Sequence, residues 1–235
     1  MVKTNTFRDW QAVLNENAEW QRSDEARAAI VGRLRRLGPG QRDLNVALTA
    51  LSVGHAMVRA ASDWESPIAG AGGRAAAARG TQWRFAMAWA GFEKLLKAGT
   101  NTVEASHFPH GKVGDFVSAL RFPEGAIPPL RSPKKKGQLF QEWVNSIDAA
   151  ALRFLHIDAR DEERLKNWFR EEDGQGADLS SQIHLARALR NATVHGALSA
   201  TKVQQLGLVA PLNALVDMMT SVDRQLFAVL AADDA

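Results

Sequence analysis

The chain of 235 residues contains no cysteine. That excludes a disulfide framework, a zinc–thiolate site and a cysteine nucleophile. No uninterrupted apolar run reaches membrane-spanning length. The opening stretch, Met1-Val2-Lys3-Thr4-Asn5-Thr6-Phe7-Arg8-Asp9-Trp10, lacks the apolar core of a signal peptide. A cytoplasmic location is therefore the expectation. No run of alternating strand residues, internal repeat or low-complexity tail is present. Missing too are a glycine-rich phosphate loop after a strand, a Gly-x-Ser-x-Gly elbow and a His-Glu-x-x-His pair.

What is present reads as an ordinary globular composition, 46% hydrophobic and 23% charged. The length allows one large domain, or a main domain with an appended segment. A net charge of +3 permits a polyanionic partner without requiring one. Nearly every periodic segment is helical. Ser23-Asp24-Glu25 caps a stretch with Ala26, Ile30, Leu34 and Leu37 in phase, stopped by Gly38-Pro39-Gly40. Leu44, Leu48, Leu51 and Val58 carry a second helix to about Trp64. After an Ala/Gly/Arg-rich loop over Gly70 to Gly80, the stripe Phe85, Trp89, Phe92 and Leu96 predicts a helix ending at Gly99.

Thr100 to Gly137 holds most of the prolines and little periodicity beyond Val113–Leu120, which marks an irregular insertion. Helices resume through Leu139, Phe140, Trp143, Val144 and Ile147, and again over Glu162–Glu171. Asp178 or Ser180 can cap a helix with Ile183, Leu185, Ala186 and Leu189 on its apolar side. A last long helix starts at Ser199 or Thr201 and bends at Pro211, burying Leu212, Leu215, Val216, Met219, Val222, Leu226 and Leu230. The expected architecture is an all-α bundle. Residues 1–65 form an N-terminal helical segment, and 75–231 form the main helical domain with its insertion at about 100–137.

One short stretch carries chemistry: Leu189-Arg190-Asn191-Ala192-Thr193-Val194-His195-Gly196. On a helix Asn191 and His195 stack one turn apart, with Arg190 rotated by about 100° but long enough to reach the same pocket. Histidine moves a proton near neutral pH, and arginine grips a phosphate through parallel hydrogen bonds. The combination fits cleavage of a phosphodiester. A helix whose polar face merely carries these residues gives the same pattern.

Other residues have paired readings. Arg187 and His184 share the motif face and can meet RNA phosphates, or lie on a solvated surface. Arg131, Lys134, Lys135 and Lys136, after Pro128-Pro129, form either a solvated loop or an RNA-backbone contact. Asp161-Glu162-Glu163 and Glu171-Glu172-Asp173 read as solvated helix ends, not as a metal site. His107 and His110 lack a third ligand nearby. His55 and His156 fall near apolar stripes and read as core or boundary histidines. Trp10, Trp83, Trp89 and Trp143 read as core, while Trp64 and Trp168 either pack or stack bases.

A helical chain with a late Arg-Asn-x-x-x-His resembles the HEPN superfamily (higher eukaryotes and prokaryotes nucleotide-binding domains), whose hallmark is Arg and His separated by four to six residues. The flanks, Ala-Leu-Arg-Asn-Ala-Thr-Val-His-Gly-Ala-Leu-Ser and then Lys202-Val203-Gln204-Gln205-Leu206-Gly207, are similar to bacterial branches found beside defence and toxin genes. Trp89-Ala90-Gly91-Phe92-Glu93-Lys94-Leu95-Leu96 resembles the earlier core helix of such domains. The likeness runs from about Gln82 to the C-terminus. It implies a HEPN-like helical bundle and a metal-independent endoribonuclease needing no cofactor. It further implies a homodimer with a composite site, and an antitoxin or other regulatory protein as partner. Transferred residue by residue, His195 is the general acid or base and Arg190 stabilises phosphoryl charge. Asn191 orients the imidazole or a phosphate oxygen, and Glu93 supports the pair from the earlier helix. Toxins of this kind often carry a tyrosine two residues after the histidine as a site of adenylylation. Here Ala197 stands there and the chain has no tyrosine, which excludes that control. The alternatives are a non-catalytic helical protein that binds a nucleotide or a protein partner, and a helical assembly subunit.

Overall fold

The computed structural model describes residues 32, 44–64, 73–133, 137–146, 159–170, 176–196 and 198–231. The helix expected after Ser23, His156, Lys134 to Lys136, and the carboxylates Glu171-Glu172-Asp173 lie outside them. The described residues are all-α, with no strand among them. In chain order the helices are α1 (Leu44–Asp63) and α2 (Gly73–Gly99), then a single 3₁₀ turn (His110–Lys112) leading into α3 (Val113–Ala119). They continue as α4 (Gly137–Ser146), α5 (Ala159–Arg170), α6 (Leu179–Val194), α7 (Ala200–Gln205) and α8 (Val209–Ala231). No helix among the described residues is long and apolar enough to cross a membrane.

Two compact units emerge. One holds the described residues of Met1–Asp63, Ala90–Phe122 and Met219–Ala235; the other holds those of Trp64–Trp89 and Pro123–Met218. One boundary falls between Asp63 and Trp64, and others pass through α2 and α8.

In the first unit, two glycines decide how α1 meets α2. A Cβ on Gly54 would lie 2.7 Å from the Gly91 carbonyl oxygen, and one on Gly91 would lie 2.6 Å from that of Gly54. Neither helix tolerates even a methyl group at the crossing. Around it Leu51, Val58, Phe92, Leu95 and Leu96 are sealed from solvent, each adding about 1.5–3 kcal/mol of burial. Gly99 receives the ring of Phe116 from α3, its hypothetical Cβ 2.6 Å away. On α8, Asp223 is fully buried and accepts from His55 Nδ1 at 2.9 Å through each carboxylate oxygen. The imidazole also packs against Phe227 at 4.6 Å. His55 is thus a boundary histidine held by a charge partner.

The second unit gathers the first part of α2 with α4 to α7 and the start of α8. Phe85 and Trp89 are buried as the stripe predicts, but Trp83 is 66% exposed. It sits two residues from Phe85, about 200° around the helix, and so faces away from the stripe. The stretch expected to be a loop to Gly80 is helical from Gly73, because the Ala75–Ala78 run has the highest helix propensity available. The last helix also differs. Ser199 caps only the short α7, since Gly207 at φ +68 turns the chain. Gly207 N–H then donates to Gln204 O, and Leu208 N–H to Val203 O, the pattern of a Schellman stop. Pro211 falls in the first turn of α8, where backbone N–H groups have no intrahelical acceptor, so its ring removes no helical hydrogen bond.

Gly91→Ala is expected to lower stability by about 1–3 kcal/mol through overpacking. Gly114→Ala, whose Cβ would meet nothing within 4 Å, is expected to leave it unchanged or raise it by up to about 1 kcal/mol. Urea denaturation of the two variants beside the parent measures the contrast, and equal effects would remove the close-crossing account.

Candidate functional site

Helix α6 is placed by both of its ends. Asp178 is the N-cap, its carboxylate accepting from Ser181 N–H at 2.9 Å while the Ser181 hydroxyl accepts from Asp178 N–H at 3.3 Å. This reciprocal box satisfies two otherwise orphan donors. Ile183, Leu185, Ala186, Ala188, Leu189 and Ala192 form the buried side. Gln182 is buried too, its amide donating to Pro128 O at 2.9 Å and Gly176 O at 3.1 Å. Leu130 N–H bonds Gly176 O at 2.8 Å, and Trp168 Nε1 donates to Leu130 O at 3.1 Å. The proline-rich segment is therefore tied to α5 and α6 at Leu130, although Pro128, Pro129 and Arg131 remain exposed. Trp168, 1% exposed, is a packing residue and not a base-stacking surface.

The polar side of α6 presents Ser181, His184, Arg187, Arg190 and Asn191 at successive turns. What organises it comes from α5. Asp161, in the first turn of that helix, is fully buried. Its two oxygens accept from Arg187 Nη1 at 2.6 and 2.7 Å, and Oδ2 accepts from Asn191 Nδ2 at 3.1 Å. Asn191 Oδ1 in turn accepts from Arg190 Nη1 at 3.1 Å. A carboxylate, an amide and two guanidiniums thus form one connected chain. Asn191 is 6% exposed and locked on both sides of its amide; Arg187 and Arg190 are half-buried.

Asp161 corrects the expectation of a solvated helix end. The signal was in the spacing: Asp161, Leu165, Trp168 and Phe169 are the buried residues of α5. Asp161 stands where an apolar stripe calls for an apolar residue. Glu162 and Glu163 mask that phase, and Glu162 pairs with Lys166 one turn on. Carboxylate charge is also favourable at a helix N-terminus.

His195 lies at the very end of the motif helix. It is the C-cap (φ −85°, ψ 8°), and its N–H still donates to Asn191 O at 3.1 Å. Gly196 follows at φ +81, a conformation that disfavours any other residue and releases the chain from the helix. Its N–H donates to Thr193 O at 3.3 Å. The imidazole is half-buried, one turn beyond Asn191. Of the sequence-predicted residues, the structure joins Arg187, Arg190 and Asn191 in one network and sets His184 and His195 on the same helix. Glu93 belongs to the other unit, where it pairs with Lys97 at 3.1 Å. His107 is exposed, and the His110 ring packs edge-on against Phe108. Among the described residues no group of three or more His, Asp or Glu side chains is gathered for a metal ion.

Compared with family models, curated proteins and solved structures, the chain gives no match to any of the three.

Asp161→Ala is expected to cost about 3–5 kcal/mol, because it leaves Arg187 without its charge partner in a largely buried position. Arg187→Ala should cost a similar amount, and the double variant clearly less than the sum. Strictly additive losses in chemical denaturation would show that the two residues do not act as a pair.

Proposed function

We propose that this chain is a metal-independent endoribonuclease of the HEPN type. The observation that carries the reading is the fixed Arg190. Its guanidinium is held by Asn191, and Asn191 is anchored to a buried carboxylate, while the titratable His195 closes the same helix. An incidental polar face needs no such anchor. Preorganised charge is what transition-state stabilisation requires, because the donor does not have to reorient as charge develops.

In the proposed reaction the ribose 2′-oxygen attacks the adjacent phosphorus and the bond from phosphorus to the 5′-oxygen breaks. His195 takes the proton from the 2′-hydroxyl or delivers one to the departing 5′-oxygen. Arg190 offsets charge on the non-bridging oxygens. The products are a 2′,3′-cyclic phosphate and a 5′-hydroxyl. DNA, lacking the attacking hydroxyl, is spared. The same reading takes the active form to be a homodimer with both motifs lining one cleft, acting as a toxin or antiphage effector. With no tyrosine in the chain, control rests on a binding partner or on assembly itself.

A second reading, a non-catalytic helical protein that binds a nucleotide, draws on one observation. Asn191 and Arg187 both contact Asp161, a clamp that a rigid anion-binding surface also needs without turnover.

The deciding experiment is incubation of labelled structured RNA with purified protein in excess EDTA, beside His195→Ala and Arg190→Ala. The expected outcome is cyclic-phosphate ends from the parent alone, with each variant slower by at least about a hundredfold. Equal cleavage by all three, or none by the parent, would remove the nuclease reading. In sedimentation velocity the active species is expected to run as a dimer. A parent that cleaves RNA as a monomer would overturn the composite site.

A further inference from the structure

Tryptophan carries a large apolar ring and is seldom left mostly in water. Among the described residues Trp89, Trp143 and Trp168 are buried and Trp64 is half-buried, whereas Trp83 is 66% exposed. Helical side chains lean toward the N-terminus, over the residues three and four before them. For Trp83 those are Gly80, which has no side chain to cover the ring, and Arg79, which is exposed on the same face. Charge on this stretch has one sign. From Gly73 to Phe92, α2 carries Arg74, Arg79 and Arg84 and no carboxylate. Arg84 is engaged with α8, donating to Asn213 Oδ1 at 3.3 Å and standing 3.9 Å from Asp217. Arg79 is therefore the cation beside the indole. A hydrogen bond ties this part of α2 to the motif. Gln82, the residue before Trp83, is buried, and its Nε2 donates to the Leu198 carbonyl at 2.5 Å. Leu198 N–H in turn donates to Ala192 O at 2.8 Å, closing the turn that contains His195. All of these residues lie in the second unit. The α2 backbone at Trp83 thus stands a glutamine side chain's length from the His195 turn.

We propose that Trp83 is a stacking platform for an unpaired nucleobase, with Arg79 meeting that nucleotide's phosphate, so that single-stranded RNA is held beside the His195 turn. The choice of RNA rests on the nuclease reading; the open ring and its cation do not. The two residues stand one helical turn apart on one face, with about 5–6 Å between Cβ atoms, a separation that one nucleotide spans. Every base offers a flat π-face, and a single open aromatic ring is enough to receive it. A protein partner requires a wider apolar patch in which several side chains are sealed together, and Gly80 and Arg79 do not supply one. A stacked base is held without hydrogen bonds to its edge, so the platform grips a strand without selecting its sequence. It supplies grip and orientation, while Arg190 and His195 supply the chemistry.

The test titrates the full chain against a labelled single-stranded RNA with 2′-O-methyl groups throughout, which cannot be cleaved, and against an abasic strand of the same length and charge. The parent is expected to prefer the strand with bases by about tenfold. Trp83→Leu keeps apolar area without the flat ring and is expected to lose that preference, whereas Trp83→Phe is expected to keep most of it. Arg79→Gln is expected to weaken binding of both strands alike and to lower the slope of log K against log salt by about 0.7. Equal binding of the two strands by the parent would overturn the platform, as would the parent's preference in Trp83→Leu. An Arg79 variant with the parent's slope would remove the phosphate contact. Sedimentation velocity tests the rival occupant: a Trp83→Leu protein that falls from dimer to monomer places the indole between two copies of the chain and overturns the platform. The two proposals fail separately. Base-dependent binding through Trp83 without cleavage by the parent removes the nuclease and keeps the platform; cleavage by a parent that binds both strands alike does the reverse.

Discussion

A carboxylate removed from water is costly unless its oxygens are fully hydrogen-bonded and its charge is matched. Asp161 meets both conditions by drawing Arg187 and Asn191 of α6 toward the first turn of α5. The arrangement of the candidate site follows from that requirement. Asn191 is gripped from one side, so its other amide atom is fixed in space, and Arg190 is oriented by it. The same pull sets the rotation of α6, leaving its apolar residues inward and His184, Arg187 and Arg190 half accessible. A site built on two packed helices is stiffer than one built on loops, and stiffness matters where charge must be met at a fixed point.

The first unit arrives at a related solution with different chemistry. Asp223 is as deeply buried as Asp161, in phase with Met219, Leu226 and Leu230 on α8, and its partner is His55 on α1. Close backbone approach at Gly54 and Gly91 brings α1 against α2 in that unit. In both units an aspartate takes a position that helical phase reserves for an apolar side chain. The consequence is specificity of pairing: an apolar contact tolerates rotation and sliding of one helix on another, while a carboxylate that must find particular donors does not. In the second unit the donors belong to a segment that ends in an exposed turn with an arginine and a histidine beside it.

Much of the helical framework was legible because it depends on local periodicity. The α1 limits, the stripe of Phe85, Trp89 and Phe92, the Asp178 cap and the apolar face of α8 were readable from spacing and capping residues. The misread elements involve competition between local signals. Ala75–Ala78 outweighed the flanking glycines and began α2 early. Gly207 outweighed the capping serine at Ser199 and divided the last helix. The helical spacing of Trp83 from Trp89 reads as core, yet its phase relative to Phe85 places it outside.

The sequence by itself determined that the chain is helical, which faces are apolar, and that Arg190, Asn191 and His195 stand within one helical turn or so of each other. Those properties are set by propensity and by the 3.6-residue period, and they act over a few residues. Only the tertiary structure decided which charges meet. Asp161 and Arg187 are separated by a span whose course no local rule fixes, and three adjacent acidic residues look alike until packing removes one of them from water. Burial then converts Asp161 from one surface charge among many into the residue on which the geometry of α6 depends, because the free energy of a carboxylate is governed by what surrounds it in three dimensions and not by its neighbours in the chain.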